Sequence, residues 1–197
     1  MLNRIMAACG ILVLTALASG LRAEDYRPGP YAGLSVGYAV TPNSAGGYDL
    51  STDGFNVAGL AGWTYAYQGM VMGLEADIGL HKVDGSGAVG GAAVTFESNW
   101  YASARGRLGV PIGPALPFVT AGVAMSDQIL KSGGGSVDTL RWGPIAGAGI
   151  DLQLTRTIVG RIEATRTWWT DSKFGALPTA VTSADNQVRA AIIVNLD

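Results

Sequence analysis

An all-β protein is expected from this chain: an eight-stranded antiparallel up-and-down transmembrane β-barrel. Three observations point there. Apolar and polar residues alternate with period two through eight separate segments, which is the period of a strand with two unlike faces. The connections between those segments alternate long and short. The chain is also too apolar for an ordinary soluble domain, with 48% hydrophobic and 14% charged residues among 197, where about 25% charged is usual. Beyond the N-terminal leader, no run approaches the roughly 20 apolar residues a membrane-spanning helix needs. A closed barrel is the other way to satisfy every backbone group in lipid.

Residues 1–23 read as a secretory signal peptide, and 24–197 as the barrel domain. The leader opens on Met-Leu-Asn-Arg, continues through IMAACGILVLTALASG and ends on small residues before a cut after Ala23. Cys9, the single cysteine, leaves with it, so the mature chain has no thiol, disulfide or Cys-based metal site. A lipid anchor at Cys9 is disfavoured, because almost no apolar run precedes it. Arg4 and Arg22 leave too, so 11 Lys and Arg face 15 Asp and Glu, a net charge of −4. That balance argues against a nucleic-acid partner, which favours a basic patch.

The eight segments, in chain order, are Tyr31–Val40, Gly54–Tyr67, Met70–Lys82, Ala93–Val110, Pro117–Ile129, Thr139–Leu154, Thr157–Trp169 and Asn186–Leu196. None carries a 3.6-residue apolar stripe, and glycine is frequent throughout, so none reads as a helix. Four connections are long and polar or Gly-rich: TPNSAGGYDLSTD, DGSGAVGGA, KSGGGSVD and DSKFGALPTAVTSAD. Three are short: YQGM, PIGPALP and LTRT. An outer-membrane barrel alternates extracellular loops with periplasmic turns in this way, both termini being periplasmic.

Parity assigns the faces. In the third segment Met70, Met72, Leu74, Ala76, Ile78 and Leu80 oppose Gly73, Glu75, Asp77, Gly79 and His81. In the fourth, Trp100, Ala102, Ala104, Gly106, Leu108 and Val110 oppose Glu97, Asn99, Tyr101, Ser103, Arg105 and Arg107. The sixth to eighth segments repeat the pattern, setting Asp151, Arg161, Glu163 and Arg189 on the polar side. Two exceptions stand out: Arg166 on an apolar face near a strand end, and Leu60 on the polar parity of the second segment. The mid-strand charges thus number four acids (Glu75, Asp77, Asp151, Glu163) and four bases (Arg105, Arg107, Arg161, Arg189). Pointed into a barrel they neutralise one another, and paired, hydrogen-bonded charges are tolerated where isolated ones are not.

A soluble lipocalin-like barrel has the same alternation with the faces reversed. Two observations weigh against it. The charged face is sparse for a surface in water. The aromatics also sort by end: Tyr38, Phe55, Trp100, Trp142 and Trp168 near the long connections, and Tyr31, Trp63, Tyr65, Tyr67 and Phe118 near the short ones. Two such belts suit the two interfaces of a bilayer.

The runs GFNVAGLAGW, GMVMGLEADI, NWYASARGRLGV and LPFVTAGVA resemble the outer-membrane protein β-barrel family. These are small OmpA-like, porin-like surface proteins typical of alphaproteobacteria. The likeness spans almost the whole mature chain, with GLEADI and ARGRLG its most specific parts. GAGIDLQL resembles a later G-x-G-x-E strand with Asp151 in place of Glu, and RIEATRT resembles an R-x-E-Y-R-Y strand, retaining Arg161 and Glu163. The resemblance implies an eight-stranded barrel in a bacterial outer membrane, reached by Sec-type export. Its expected partners are outer-membrane lipid and lipopolysaccharide, with the barrel-assembly machinery acting during insertion. The family ends in an aromatic residue read by that machinery, whereas this chain ends Val194-Asn195-Leu196-Asp197.

No catalytic, cofactor or metal site is expected. Glu75, Asp77 and His81 could be drawn together as metal ligands, but the two acids suit arginine partners and His81 a loop edge. No nucleophile motif surrounds His81 and the nearby Ser86. The Gly-rich segments open no helix, so they are not phosphate cradles. The expected role is structural or surface display with the lumen plugged by charge. A narrow porin-like channel and adhesion through the extracellular loops are the alternatives, with a soluble carrier last.

Overall fold

The computed structural model describes residues 28–45, 48–89, 92–132, 135–170 and 184–196. The leader 1–23 lies outside them. The described residues form a closed antiparallel barrel, each strand pairing with its sequence neighbours and β1 with β8. The strands are β1 (Pro30–Ala45), β2 (Tyr48–Tyr67), β3 (Met70–Val89), β4 (Ala92–Gly109), β5 (Ala115–Ser132), β6 (Gly135–Gln153), β7 (Ile158–Trp168) and β8 (Ala184–Asn195). Closure removes the unpaired edges that an open sheet would expose.

Short turns close one end, each with its own chemistry. Between β2 and β3, Gln68 and Gly69 both take positive φ, 49° and 78°. This is the twist a two-residue hairpin requires, and glycine adopts it without cost. Between β4 and β5, Ile112 and Ala115 exchange backbone hydrogen bonds around Gly113-Pro114. Between β6 and β7, the Thr155 hydroxyl accepts from the amides of Thr157 and Ile158.

At the other end the structure corrects the sequence reading. Three segments expected to be long loops are mostly strand. β1 and β2 stay paired to Ala45 and Tyr48, β3 and β4 to Val89 and Ala92, and β5 and β6 to Ser132 and Gly135. Gly and Ser lower strand propensity, but a hairpin leaving the membrane still pairs its own backbone, and that ladder needs no apolar side chains. Of the fourth long connection, 171–185, residues 171–183 lie outside the described ones and Ala184 and Asp185 open β8.

The two faces differ in kind. Leu34, Phe55, Leu74 and Leu80 are outward and exposed, as are Trp63, Tyr65, Tyr67, Trp142 and Trp168. Ser35, Asn56, Thr64, Ser103, Thr120, Thr165 and all eight mid-strand charges are buried. Leu60 also points inward, into an apolar floor with Tyr31, Val159, Ala191 and Ile193. Its parity suits a buried position, and its neighbours there are apolar too.

β4 has an irregularity that parity alone misses. Its register with β5 shifts between Glu97 and Tyr101, and its register with β3 shifts opposite Leu80 and Val83. An extra residue frees backbone donors from the ladder. The Asp127 carboxylate takes them, accepting from the Asn99 amide at 2.9 Å and the Trp100 amide at 3.0 Å. Asn99, expected inside, is consequently exposed.

Candidate functional site

The eight charges occupy one layer of the lumen. Glu75 and Asp77 come from β3, Arg105 and Arg107 from β4, Asp151 from β6, Arg161 and Glu163 from β7, and Arg189 from β8. Closure of eight strands sets β7 across from β3, so contacts can run along the wall or straight across it. Both kinds occur.

Arg105 is the hub. Its Nη2 donates to Glu75 Oε1 at 2.5 Å and to Asp77 Oδ2 at 2.8 Å on the adjacent strand. Its Nη1 crosses the lumen to Glu163 Oε1 at 2.6 Å. Arg161 crosses the other way, Nη1 donating to Glu75 Oε2 at 2.5 Å, while its Nε and Nη2 grip both oxygens of Asp151 at 2.6 and 3.1 Å. Arg107 Nη2 donates to Asp151 Oδ2 at 2.7 Å. Arg189 Nε donates to Glu163 Oε2 at 2.7 Å, and its Nη1 to Asp77 Oδ2 at 3.2 Å. Ser103 adds a neutral donor to Asp77 at 2.9 Å. Every carboxylate meets at least two arginines, and every arginine at least two carboxylates. Glu163 is only 1% exposed and Arg105 only 2%. Charges this deep are stable only with such partners.

Two residues expected in the interface belts sit inside instead. Tyr31 is 3% exposed and Phe118 4%. The Tyr31 hydroxyl donates to Glu75 Oε2 at 2.7 Å and accepts from Arg107 Nη1 at 3.2 Å. The Phe118 ring lies 3.9 Å from the Arg107 guanidinium carbon and 5.0 Å from that of Arg161. The physical reason is local. Each ring faces a cross-strand glycine, Tyr31 over Gly62 and Phe118 over Gly149. A Cβ on Gly149 would come within 2.6 Å of the Phe118 ring. Tyr101 repeats the device over Gly79. The missing side chain makes room for a flat ring, and on the short-turn side Tyr31 and Phe118 lie against Arg107 and Arg161. The signal was available: Tyr31 shares parity with Ser35, and Phe118 with Thr120.

Of the other interface aromatics, Tyr38, Trp63, Tyr65, Tyr67, Trp142 and Trp168 are exposed and outward, and Trp100 is half-buried beside the β4 irregularity. Tyr38 stacks edge-on against Phe55 at 5.0 Å, and its hydroxyl donates to Asp53. Sequence reasoning missed Trp169: next to outward Trp168, it must turn inward. It packs with Ala124 and Ile145, and its Nε1 donates to Asp185 at 2.6 Å. The backbone of His81 pairs opposite Asn56, and its side chain lies outside the described ones.

Chemically, this arrangement is a mutually neutralised cross-brace: each of its four carboxylates has arginine partners. Comparison with known proteins gives it context. The family described as outer membrane protein beta-barrel domain matches residues 9–191. The 25 kDa outer-membrane immunogenic protein of Brucella canis is 29% identical over 156 residues, 78% of this chain and 70% of that protein. The 22 kDa outer membrane protein of Rhizobium leguminosarum bv. viciae is 30% identical over 136 residues, 68% of this chain and 63% of that protein. The crystal structure of Neisserial surface protein A superposes with a TM-score of 0.58 at 13% identity, covering 90% of this chain and all of that one, a likeness of fold alone.

Proposed function

The chain belongs to the outer membrane protein β-barrel family, and on that premise we propose that it is a sealed structural barrel that braces the envelope and displays its long hairpins at the cell surface. It is an integral outer-membrane protein, held in lipid by the apolar outer wall. The short turns face the periplasm and the extended hairpins face out. Its leader directs export, and the barrel-assembly machinery inserts it. Lipopolysaccharide is its outer-leaflet neighbour. No reaction, metal or cofactor belongs to this role.

The observation that carries the reading is the cross-lumen bracing. Arg105 to Glu163 and Arg161 to Glu75 tie opposite walls together with side chains shielded from water. An eight-stranded barrel is just wide enough to be filled by side chains, and here the fill is ionic. The display part draws on the relatives' name as immunogenic proteins and on the paired outer hairpins.

Reconstitution into liposomes tests the seal. Vesicles carrying the barrel should not swell in small sugars and should show no steady single-channel current in a planar bilayer. Swelling at the rate of an open porin would overturn the proposal and favour the channel.

A further inference from the structure

Among the described side chains, the outer wall carries one cation that bracing and display leave unused. Arg166 in β7 is exposed and points out of the barrel, away from the network. Its guanidinium carbon lies 5.7 Å from the ring of Trp168, one outward position further along. Asn186 of β8 sits directly opposite, on the same outward parity, and Ala146 of β6 opposite on the other side. Trp142 and Trp168 stand above, both exposed. Beside and below it, the wall falls to Ala146, level with Arg166, and to Ala148 and Ala164 one pair further down, whose side chains end at Cβ. Among the described side chains, Arg166 forms no ion pair. The described acids toward the outer rim have partners of their own: Asp53 with Tyr38, Asp127 with Asn99 and Trp100, Asp185 with Trp169.

A charge on a lipid-facing strand is tolerated only where it reaches the interface. Arg166 lies beside the outer aromatic belt, with a stem long enough to snorkel upward along the Trp168 ring. Above it lies the headgroup layer of the outer leaflet. A planar guanidinium with an amide donor beside it matches the geometry of a phosphate. The shallow alanine strip beneath leaves a track for an acyl chain.

We propose that Arg166 and Asn186, flanked by Trp142 and Trp168, bind a phosphate of a glycolipid in the outer leaflet, with its acyl chain along Ala146, Ala148 and Ala164. This rests on the proposed orientation, hairpins outward. The test measures binding of diphosphoryl lipid A to the folded barrel in zwitterionic detergent, against lipid A stripped of both phosphates. Arg166→Gln should fold with the same heat-modifiable mobility as wild type, since it removes a charge from the lipid face. It should bind diphosphoryl lipid A about tenfold more weakly, the worth of one charge-assisted hydrogen bond. Arg166→Lys should keep part of the affinity. Arg156→Gln, in a periplasmic turn, should keep all of it. Equal binding by wild type and Arg166→Gln, or indifference of wild type to the phosphates, would overturn the site. An inverted barrel would show separately, as a hairpin tag reached only after the outer membrane is permeabilised.

Discussion

Leu74 and Glu75 are neighbours in β3, yet Leu74 is 73% exposed and Glu75 3%. In a water-soluble protein those values would be exchanged. The comparison extends to the whole molecule. The outer wall meets lipid with side chains that need no specific partner, so one apolar residue there can replace another. The lumen holds charges that lipid could not solvate, and each depends on particular neighbours. Stability on the wall is therefore a matter of area and of keeping charge out. In the lumen it is a matter of pairing. The same substitution should have opposite consequences on the two faces.

The largest effect should come from the lumen. Arg105→Ala leaves Glu75, Asp77 and Glu163 each short of a partner, and breaking a buried ion pair costs about 3–5 kcal/mol. Urea unfolding of the barrel in detergent should show a loss of that size. The Arg105→Ala, Glu163→Ala double variant should cost less than the sum of its singles, with a coupling of about 0.5–3 kcal/mol. It should also raise conductance. Strict additivity would mean the two faces obey the same rule.

Next comes the wall. Leu74→Arg places a charge in the hydrocarbon, a cost of about 2–4 kcal/mol near the midplane. It should lower both the yield of folded protein in vesicles and its resistance to urea. Leu74→Ile should be close to neutral by the same measures. Wild-type yield and stability for Leu74→Arg would reverse the assignment of faces.

A smaller effect separates packing from charge within the lumen. Gly149→Ala pushes a methyl against the Phe118 ring and the Ile162 carbonyl. Overpacking of this kind costs about 1–3 kcal/mol, although no charge is altered. Phe118→Ala in the same background should restore part of the loss, because it removes the ring that clashes. If it restores nothing, the ring and the glycine are not coupled.

The smallest effect belongs to the hairpin tips. A short epitope inserted between β5 and β6 should leave the urea midpoint unchanged, because connections between strands tolerate insertion. Antibody should bind it on intact cells.

Much of this was legible in the sequence. Period-two alternation, carried through eight segments, marked the strands. The confinement of Glu75, Asp77, Asp151, Glu163 and four arginines to one parity marked the face that needed pairing. Those are properties of single strands, and a strand's faces follow from its own residues. Arg166 broke the rule in the sequence and remains outward in the structure. Its neighbours Trp168 and Asn186 became visible only with the sheet.

Other features were decided by the closed barrel. Which arginine meets which carboxylate depends on closure, since Arg105 and Glu163 lie 58 residues apart and meet only across the lumen. Parity turns Tyr31 and Phe118 inward, but the room for their rings comes from Gly62 and Gly149 opposite them, and a pairing register is a relation between strands. The β4 irregularity and the Asp127 side chain that satisfies it, like the paired outer hairpins, are relations of the same kind. Periodicity in one segment specifies what each side chain must face. Only the register and curvature of neighbouring strands, joined in a ring, specify which group it touches.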